Sequence, residues 1–364
     1  MKVWDGVSGS KITFDWHSIG ASPYGGQRNI AYMTENTNLT SGLLQRVHEL
    51  GKIEMLHKVK VADIQLGEDS GEHDMRSWPI ISLSSGATIA ARLLVGADGA
   101  NSPVRTFAGI ASRGWDYNRH GLVATLRLAA GTASDYNLAT AYQRFLPTGP
   151  AALLPLPNGQ ASLVWSTTPA HAAALKALTT TDFIAMVNAA FRLSPTDLKY
   201  LHTLPAGQAD EVNWRMQHTP YDNALVPPMI ESVQEGSIAS FPLKLRHADT
   251  YTGERVALIG DAAHTIHPLA GQGLNQGQGD VQALLDTITE AVETGQDIGS
   301  TLALESYNLK RYAANNMLMG VVDKLHKLYS VQSGPVVALR SWGLSAVDAV
   351  PAVKEFFMKR AAGS

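Results

Sequence analysis

The sequence predicts an α/β protein of doubly wound type, interleaved with an antiparallel-sheet lobe and followed by a helical C-terminal region. Three observations carry this. Two short apolar runs, Leu93-Leu-Val-Gly-Ala-Asp98-Gly99 and Val256-Ala-Leu-Ile-Gly260-Asp261, each end on an acid in a glycine turn and lead into a helical pattern. Between them, residues 121–168 alternate apolar and polar with Pro and Gly linkers, as antiparallel strands do. After residue 281 the period changes to that of helices. At 364 residues the chain exceeds one ordinary core, so two lobes are expected.

The elements follow in order. Glycine-rich residues 1–35 carry short strands such as Lys11–Phe14. Thr37–Leu50 reads as a helix with Leu39, Leu43, Leu44, Val47 and Leu50 on one face. Residues 53–66 and 87–97 read as strands, and Asn101-Ser-Pro-Val-Arg105 opens a helix in which Pro103 stands where its missing N–H is harmless. Strands are expected at 122–128, 141–145, 151–154 and 161–165, and a helix near 181–192. A poorly patterned stretch then runs to about 236, and 238–245 returns to strand. The run 256–259 is a buried strand, glycine-dense 271–279 is a loop, and helices follow at 281–294, 302–329 and 335–347. Trp4, Trp165 and Trp342 are expected in the core.

Composition excludes several classes. A formal charge of −3 and the lack of a nucleic-acid signature give no reason to expect nucleic acid. No cysteine is present, which removes disulfides, thiolate metal sites and cysteine nucleophiles. No apolar run reaches 18 residues, and the N-terminus is neither a signal nor a transit peptide. From Lys310 onward eight Lys/Arg face three Asp/Glu, so the tail is basic. It is either a solvated helical face or a surface for an anionic membrane or acidic partner.

The chemistry lies in the two strand-end acids. A carboxylate there can accept hydrogen bonds from a ribose hydroxyl, and glycines let backbone N–H groups approach a flat or anionic ligand. Asp is also a good helix N-cap, so a purely structural role stays open for both Asp98 and Asp261. His264 and His267 stand three apart, but no third ligand completes a metal site.

Gly96-Ala-Asp98-Gly99-Ala-Asn-Ser-Pro-Val-Arg105 resembles the Asp-Gly motif of the FAD-dependent aromatic hydroxylases. Arg255-Val-Ala-Leu-Ile-Gly260-Asp261-Ala-Ala-His264, with Pro268 and Gly271-Gln-Gly273-Leu274-Asn275, resembles their Gly-Asp motif. Within that family the eukaryotic mitochondrial ubiquinone-biosynthesis subgroup is most similar, on Met1-Lys-Val-Trp-Asp5, Tyr142–Pro150 with Leu153-Leu-Pro-Leu156, Ser162–Thr167, Leu325–Tyr329 and Leu339–Leu344. The resemblance implies that Asp261 binds the ribitol or ribose side of FAD. Pro268, Gly271, Gly273, Leu274 and Asn275 would line the isoalloxazine ring. Asp98, with Gly99, and Arg105 would organise the pyrophosphate region, and Gly260 sits in the motif that carries Asp261. Glu35-Asn36 resembles the segment before a helix that contacts the flavin. No acid–base residue is assigned.

The implied activity is FAD-dependent monooxygenation of the aromatic ring of a polyprenylated hydroxybenzoate or phenol in ubiquinone biosynthesis, through a flavin hydroperoxide. The implied partners are molecular oxygen, ferredoxin with its reductase or NAD(P)H as electron source, and the ubiquinone-biosynthesis complex. The implied location is the matrix side of the mitochondrial inner membrane, as a peripheral protein. In one respect the chain departs from the family: the opening strand and G-x-G-x-x-G turn that hold the FAD pyrophosphate are not found. The expectation is therefore a truncated Rossmann-like FAD-binding domain that binds FAD poorly alone. Its remainder would occupy 1–110, the antiparallel substrate domain 111–250, the Gly-Asp part of the FAD domain 251–300 and the helical region 301–364. Two other readings remain: a non-catalytic structural member of the biosynthetic complex, and a flavin monooxygenase acting on another phenol.

Overall fold

The computed structural model describes residues 1–15, 31–71, 73–129, 138–266, 272–331 and 334–349. The chain divides into two compact units. Met1–Gln45, Asn118–Leu243 and Lys324–Ser364 form the first, and Arg46–Tyr117 with Lys244–Asp323 the second.

The first unit is built on an antiparallel sheet. Alternating strands β7 (Ser112–Leu128), β8 (Tyr142–Leu146), β9 (Gly149–Pro155) and β10 (Gln160–Thr167) pair in the order β7-β10-β9-β8, and β11 (Ile230–Val233) and β12 (Ala239–Ala248) pair with β7. The strand β1 (Lys2–Asp5) joins β8 in parallel and β2 (Lys11–Thr13) closes that edge. Tight Pro/Gly connections set the register, with Leu163 opposite Ala124 on one side and Leu153 on the other. The inward row Leu122, Leu126, Leu153, Leu163 and Trp165 is buried beneath helices, with Trp4, Phe183 and Phe191 in the same core. Those helices are α3 (Pro169–Ala177), α4 (Thr180–Arg192), α5 (Pro195–Leu201) and α6 (Gln208–His218). Trp4 and Trp165 are core residues as expected, whereas Trp342 is 72% exposed. It lies on a helix whose neighbour Arg340 makes the inward contacts.

Two of these helices occupy the stretch that has no clear apolar period. Their beginnings are set by caps instead. Ser194 and Asp197 form a reciprocal capping box at α5, with Pro195 at its first turn. At α6 the preceding Gly207 is left-handed, and Asp182 from α4 accepts the Ala209 N–H at 2.9 Å.

Asp5, at the end of β1, holds α9 (Pro335–Ala349) to this unit. The Arg340 guanidinium meets the carboxylate through Nε at 3.0 Å and Nη2 at 3.2 Å, and both side chains are 1% exposed. Arg340 Nη1 also donates to the carbonyls of Leu328 and Val331. Asp5 fills its remaining capacity with the Val7 N–H and the Ser8 hydroxyl. A buried pair with every polar atom occupied is stable only while both partners remain.

The second unit contains a parallel pair, β6 (Leu94–Gly96) beside β14 (Val256–Leu258), with β13 (Thr252–Gly253) antiparallel to β14. A separate antiparallel sheet comprises β3 (Val61–Leu66), β4 (Pro79–Leu83) and β5 (Thr88–Ala90). Residues 53–60 are not strand, because Lys58 takes a left-handed φ of 59° that ends extension before β3. The helices α2 (Pro103–Phe107), α7 (Gly273–Glu293) and most of α8 (Thr301–Ser330) enclose a core of Val104, Tyr251, Val256, Leu258, Leu284, Leu304 and Tyr307. The helix α1 (Asn36–Leu50) forms as expected, but it buries none of its side chains.

The glycine-dense stretch is not a loop throughout, since α7 begins at Gly273. One of its glycines serves close approach: a Cβ on Gly279 would lie 2.9 Å from Arg311 Nη2, whereas one on Gly277 would stand in ordinary contact, 3.5 Å from Gly260 Cα. Packing thus outweighs the roughly 1 kcal/mol of intrinsic helix cost per glycine.

Replacing Arg340 by Ala should strand a buried carboxylate. We expect a loss of about 3–5 kcal/mol in urea unfolding of the chain, against little change for Lys11→Ala, whose pair with Asp222 is exposed on both sides.

Candidate functional site

The parallel pairing of β6 and β14 brings together two motifs separated by some 160 residues of sequence. Register sets Leu258 beside Gly96, and the Ile259 N–H donates to the Gly96 carbonyl at 3.0 Å. Both strands therefore end at the same level, and the Asp98-Gly99 and Gly260-Asp261 turns emerge side by side, where open α/β sheets bind ligands. Gly99 and Gly260 have φ of 86° and 58°, left-handed values that favour glycine, and the space where a Cβ would lie is open at both. Gly96 is required for a different reason. A Cβ there would stand 2.9 Å from Leu258 Cδ2 and 2.9 Å from Val104 Cβ, so its bare backbone lets β6, β14 and α2 meet.

Arg105 ties the two turns together. Its Nη1 donates to the Ala262 carbonyl at 2.7 Å and its Nη2 to the Ala100 carbonyl at 2.8 Å. It is delivered by α2, where Ser102 caps the Arg105 N–H and Pro103 fills the first turn. Asp98 joins the same cap: its Oδ2 accepts the Val104 N–H at 3.1 Å. The capping role open for Asp98 is therefore real, while its carboxylate stays exposed.

Asp261 differs. It lies in the 3-10 turn Gly260–Ala262, is exposed, and takes no hydrogen bond from a described residue. Beside it, α7 begins without a side-chain cap. The first-turn N–H groups of Gly273, Leu274 and Asn275 have no intrahelical acceptor, so among the described residues this 21-residue helix has no side-chain cap at its positive end. Pro268, Gly271 and His267 lie outside the described residues.

Behind the turns is a polar cluster that the sequence reading did not identify. Asp280 on α7 is fully buried and accepts from the Gly260 N–H, His264 Nε2, Arg311 Nε and Asn315 Nδ2. Burial opposes its charge, yet the bonds from His264, Arg311 and Gly260 hold its carboxyl below the usual carboxylate range. His264 is itself buried, and its Nδ1 has no hydrogen-bond partner among the described residues. Tyr307 donates to the Leu258 carbonyl at 2.6 Å and steadies the end of β14. Asp280 shares the buried face of α7 with Gln276, Leu284, Thr287 and Ala291, so no clean apolar stripe marked it in the sequence.

The other end of β14 is fixed by Arg255, which bonds the Arg92 carbonyl and pairs with Asp297 at 2.5 Å. The Arg255 hydrogen bond is the main cause holding the Asp297 carboxyl down at about 2.

These features fit a flavin nucleotide. Exposed Asp261 can accept from sugar hydroxyls, the glycine turns admit a ligand to the backbone, and the uncapped helix favours an anionic or carbonyl edge. His264 Nδ1 is a buried polar atom without a partner among the described residues. Among the described residues no cluster of metal-ligating side chains is present.

The chain matches the FAD binding domain family over residues 30–221 and 200–320. It is 42% identical to the mitochondrial ubiquinone biosynthesis monooxygenase COQ6 of Saccharomyces cerevisiae, over 91% of this chain and 72% of that protein. It is 37% identical to the Homo sapiens protein of the same name, over 98% of this chain and 74% of that one. The fold is similar to p-nitrophenol 4-monooxygenase PnpA of Pseudomonas putida, with a TM-score of 0.63, 16% identity and coverage of 98% of this chain and 78% of that one. The anhydrotetracycline hydroxylase OxyS of Streptomyces rimosus gives 0.57 at 18% identity, covering 91% and 56%.

Two outcomes test this geometry. Gly96→Ala should cost about 1–3 kcal/mol through overpacking of the strand contact, read as a lower urea midpoint. Asp297 titrates near 2 when folded and near 4 when unfolded, so its contribution is present above about pH 4 and lost as pH falls toward 2. The stability gap between the native chain and Asp297→Asn should therefore narrow from pH 5 to pH 2 in thermal melts.

Proposed function

The chain belongs to the family of FAD-dependent monooxygenases that includes the ubiquinone-biosynthesis enzymes, and from that premise we propose that the two strand-end turns of the second unit hold the cofactor. The observation that carries the proposal is the level pairing of the Asp98-Gly99 and Gly260-Asp261 turns, linked through Arg105.

In this reading Asp261 accepts hydrogen bonds from the ribityl or ribose hydroxyls. The N–H groups of Gly273, Leu274 and Asn275 face the ring's carbonyl edge, where the helix end stabilises negative charge. Pro268 and Gly271 complete the ring-lining segment. Asp98 and Arg105 frame the pyrophosphate side, with Gly99 and Gly260 allowing close backbone approach. Two Arg105 donors are already committed to Ala262 and Ala100, which fixes the guanidinium plane and leaves its other N–H groups for a phosphate. When bound, the flavin supplies oxygen activation, and the protein supplies placement and exclusion of water. We assign the antiparallel sheet of the first unit to the substrate domain.

The substrate of this reading is a polyprenylated hydroxybenzoate or phenol, oxidised at the aromatic ring with molecular oxygen. Electrons come from ferredoxin and its reductase, or from NAD(P)H. Among the described residues no helix is long and apolar enough to cross a membrane. We place the protein peripherally on the matrix side of the mitochondrial inner membrane, in contact with the ubiquinone-biosynthesis complex. The relatives' names, which include "mitochondrial", support the compartment.

Asp261→Ala should raise the FAD dissociation constant at least tenfold, about 1.4 kcal/mol, in a flavin fluorescence titration, with melting unchanged because the side chain is exposed. Equal affinity would move the cofactor elsewhere. Expression in cells lacking their own hydroxylase tests the substrate: ubiquinone should reappear, and failure to restore it would count against the reading.

A further inference from the structure

We propose that Asp280 is the positioning residue of the cofactor turn: its carboxylate fixes Gly260, and through it the direction in which Asp261 is presented. This rests on the reading that the turn holds FAD.

The case begins with the hydrogen bonds of residues 258–263. Leu258 and Ile259 donate their N–H groups to the carbonyls of Tyr251 and Gly96, and Ala263 donates to the carbonyl of Gly260. Gly260 is where regular strand pairing ends and the chain turns with φ 58°. Its N–H goes to a side chain, Asp280 Oδ2, at 3.0 Å. The backbone partner is thus replaced by a carboxylate at the residue preceding Asp261.

That carboxylate is itself immobilised. His264 Nε2 shares Oδ2 at 2.6 Å, so one oxygen grips both sides of the turn, residues 260 and 264. The other oxygen takes Arg311 Nε at 2.7 Å and Asn315 Nδ2 at 3.1 Å, both from α8. Four donors fill the four acceptor positions of a carboxylate. Arg311 also donates to the Gln276 carbonyl and to Asn315 Oδ1, so the clamp spans α7 and α8. It reaches Asp280 because Gly279 has no side chain, for a Cβ would lie 2.9 Å from Arg311 Nη2. The turn is therefore indexed to two helices, and one of these begins with the uncapped N-terminus assigned to the flavin ring. A single buried charge sets the spacing between the sugar-binding acid and the ring-facing helix end.

A residue that merely stabilised the core would loosen the whole second unit when altered, whereas a positioning residue loosens the turn. Asp280→Asn keeps the shape but sets an NH2 against two donors. Tyr307→Phe, which removes a buried hydrogen bond to Leu258, is the structural control. Amide hydrogen exchange on the flavin-free chain should show at least tenfold faster exchange at Gly260–Ala263 in Asp280→Asn, beyond the change in β3, β4 and the C-terminal half of α7. Tyr307→Phe should show no such excess at the turn. The FAD dissociation constant should rise at least tenfold in Asp280→Asn and stay within twofold in Tyr307→Phe. If Asp280→Asn does not fold, Arg311→Lys carries the same criteria, since it keeps the charge and loses the Nε bond. Exchange rising uniformly across the unit overturns the proposal, and so does a loosened turn with unchanged FAD affinity. A native chain that takes up no FAD defeats the reading of the turn as the cofactor site, and the exchange data then still decide whether Asp280 pins it.

Discussion

The parallel contact between β6 and β14 is the constraint on which the candidate site depends. Three residues on each strand suffice, because Gly96 leaves no side chain between them and α2, and Arg255 locks the lower end. Parallel pairs need long crossovers, and here the intervening chain contributes most of the first unit. The cost in chain entropy is met by a fully buried β14 and by the surrounding core of Val104, Tyr251, Leu284, Leu304 and Tyr307. Shifting the register by one residue would separate the two acid turns and turn Val256 and Leu258 away from that core.

Charge is distributed by the same logic. Acids that are exposed at the turns, Asp98 and Asp261, remain available to a ligand, while buried acids are fully committed. Asp5 and Asp280 each face an arginine and satisfy their remaining oxygens locally, so each functions as a rivet. In the first unit the rivet holds a C-terminal helix to the first strand. In the second it links the turn to two helices.

Much of this was legible along the chain. The alternation of residues 121–168 marked β8 to β10 and the second half of β7, which begins earlier, at Ser112, and the Gly-Asp and Asp-Gly turns marked the candidate site because glycine tolerates those conformations cheaply. The helices α5 and α6 were not legible from periodicity, since Ser194 and Asp197 start one of them locally and Asp182 starts the other from a distant helix. The glycines at 273–279 read as a loop because propensity is local, whereas the approach of Arg311 to Gly279 comes from a distant helix. Trp342 was misplaced for a related reason: an aromatic ring on a helix is core only if the helix turns that face inward, and Arg340 takes that face.

The sequence by itself carried the motifs whose resemblance implied the family and the cofactor class, and it marked the two acid turns because short-range backbone demands leave glycine there. Only the tertiary structure decided that those turns lie level, that Arg105 bridges them, and that Asp280 holds one of them. Strand register and buried-charge compensation are properties of residues far apart in the chain, and no local pattern encodes the partner.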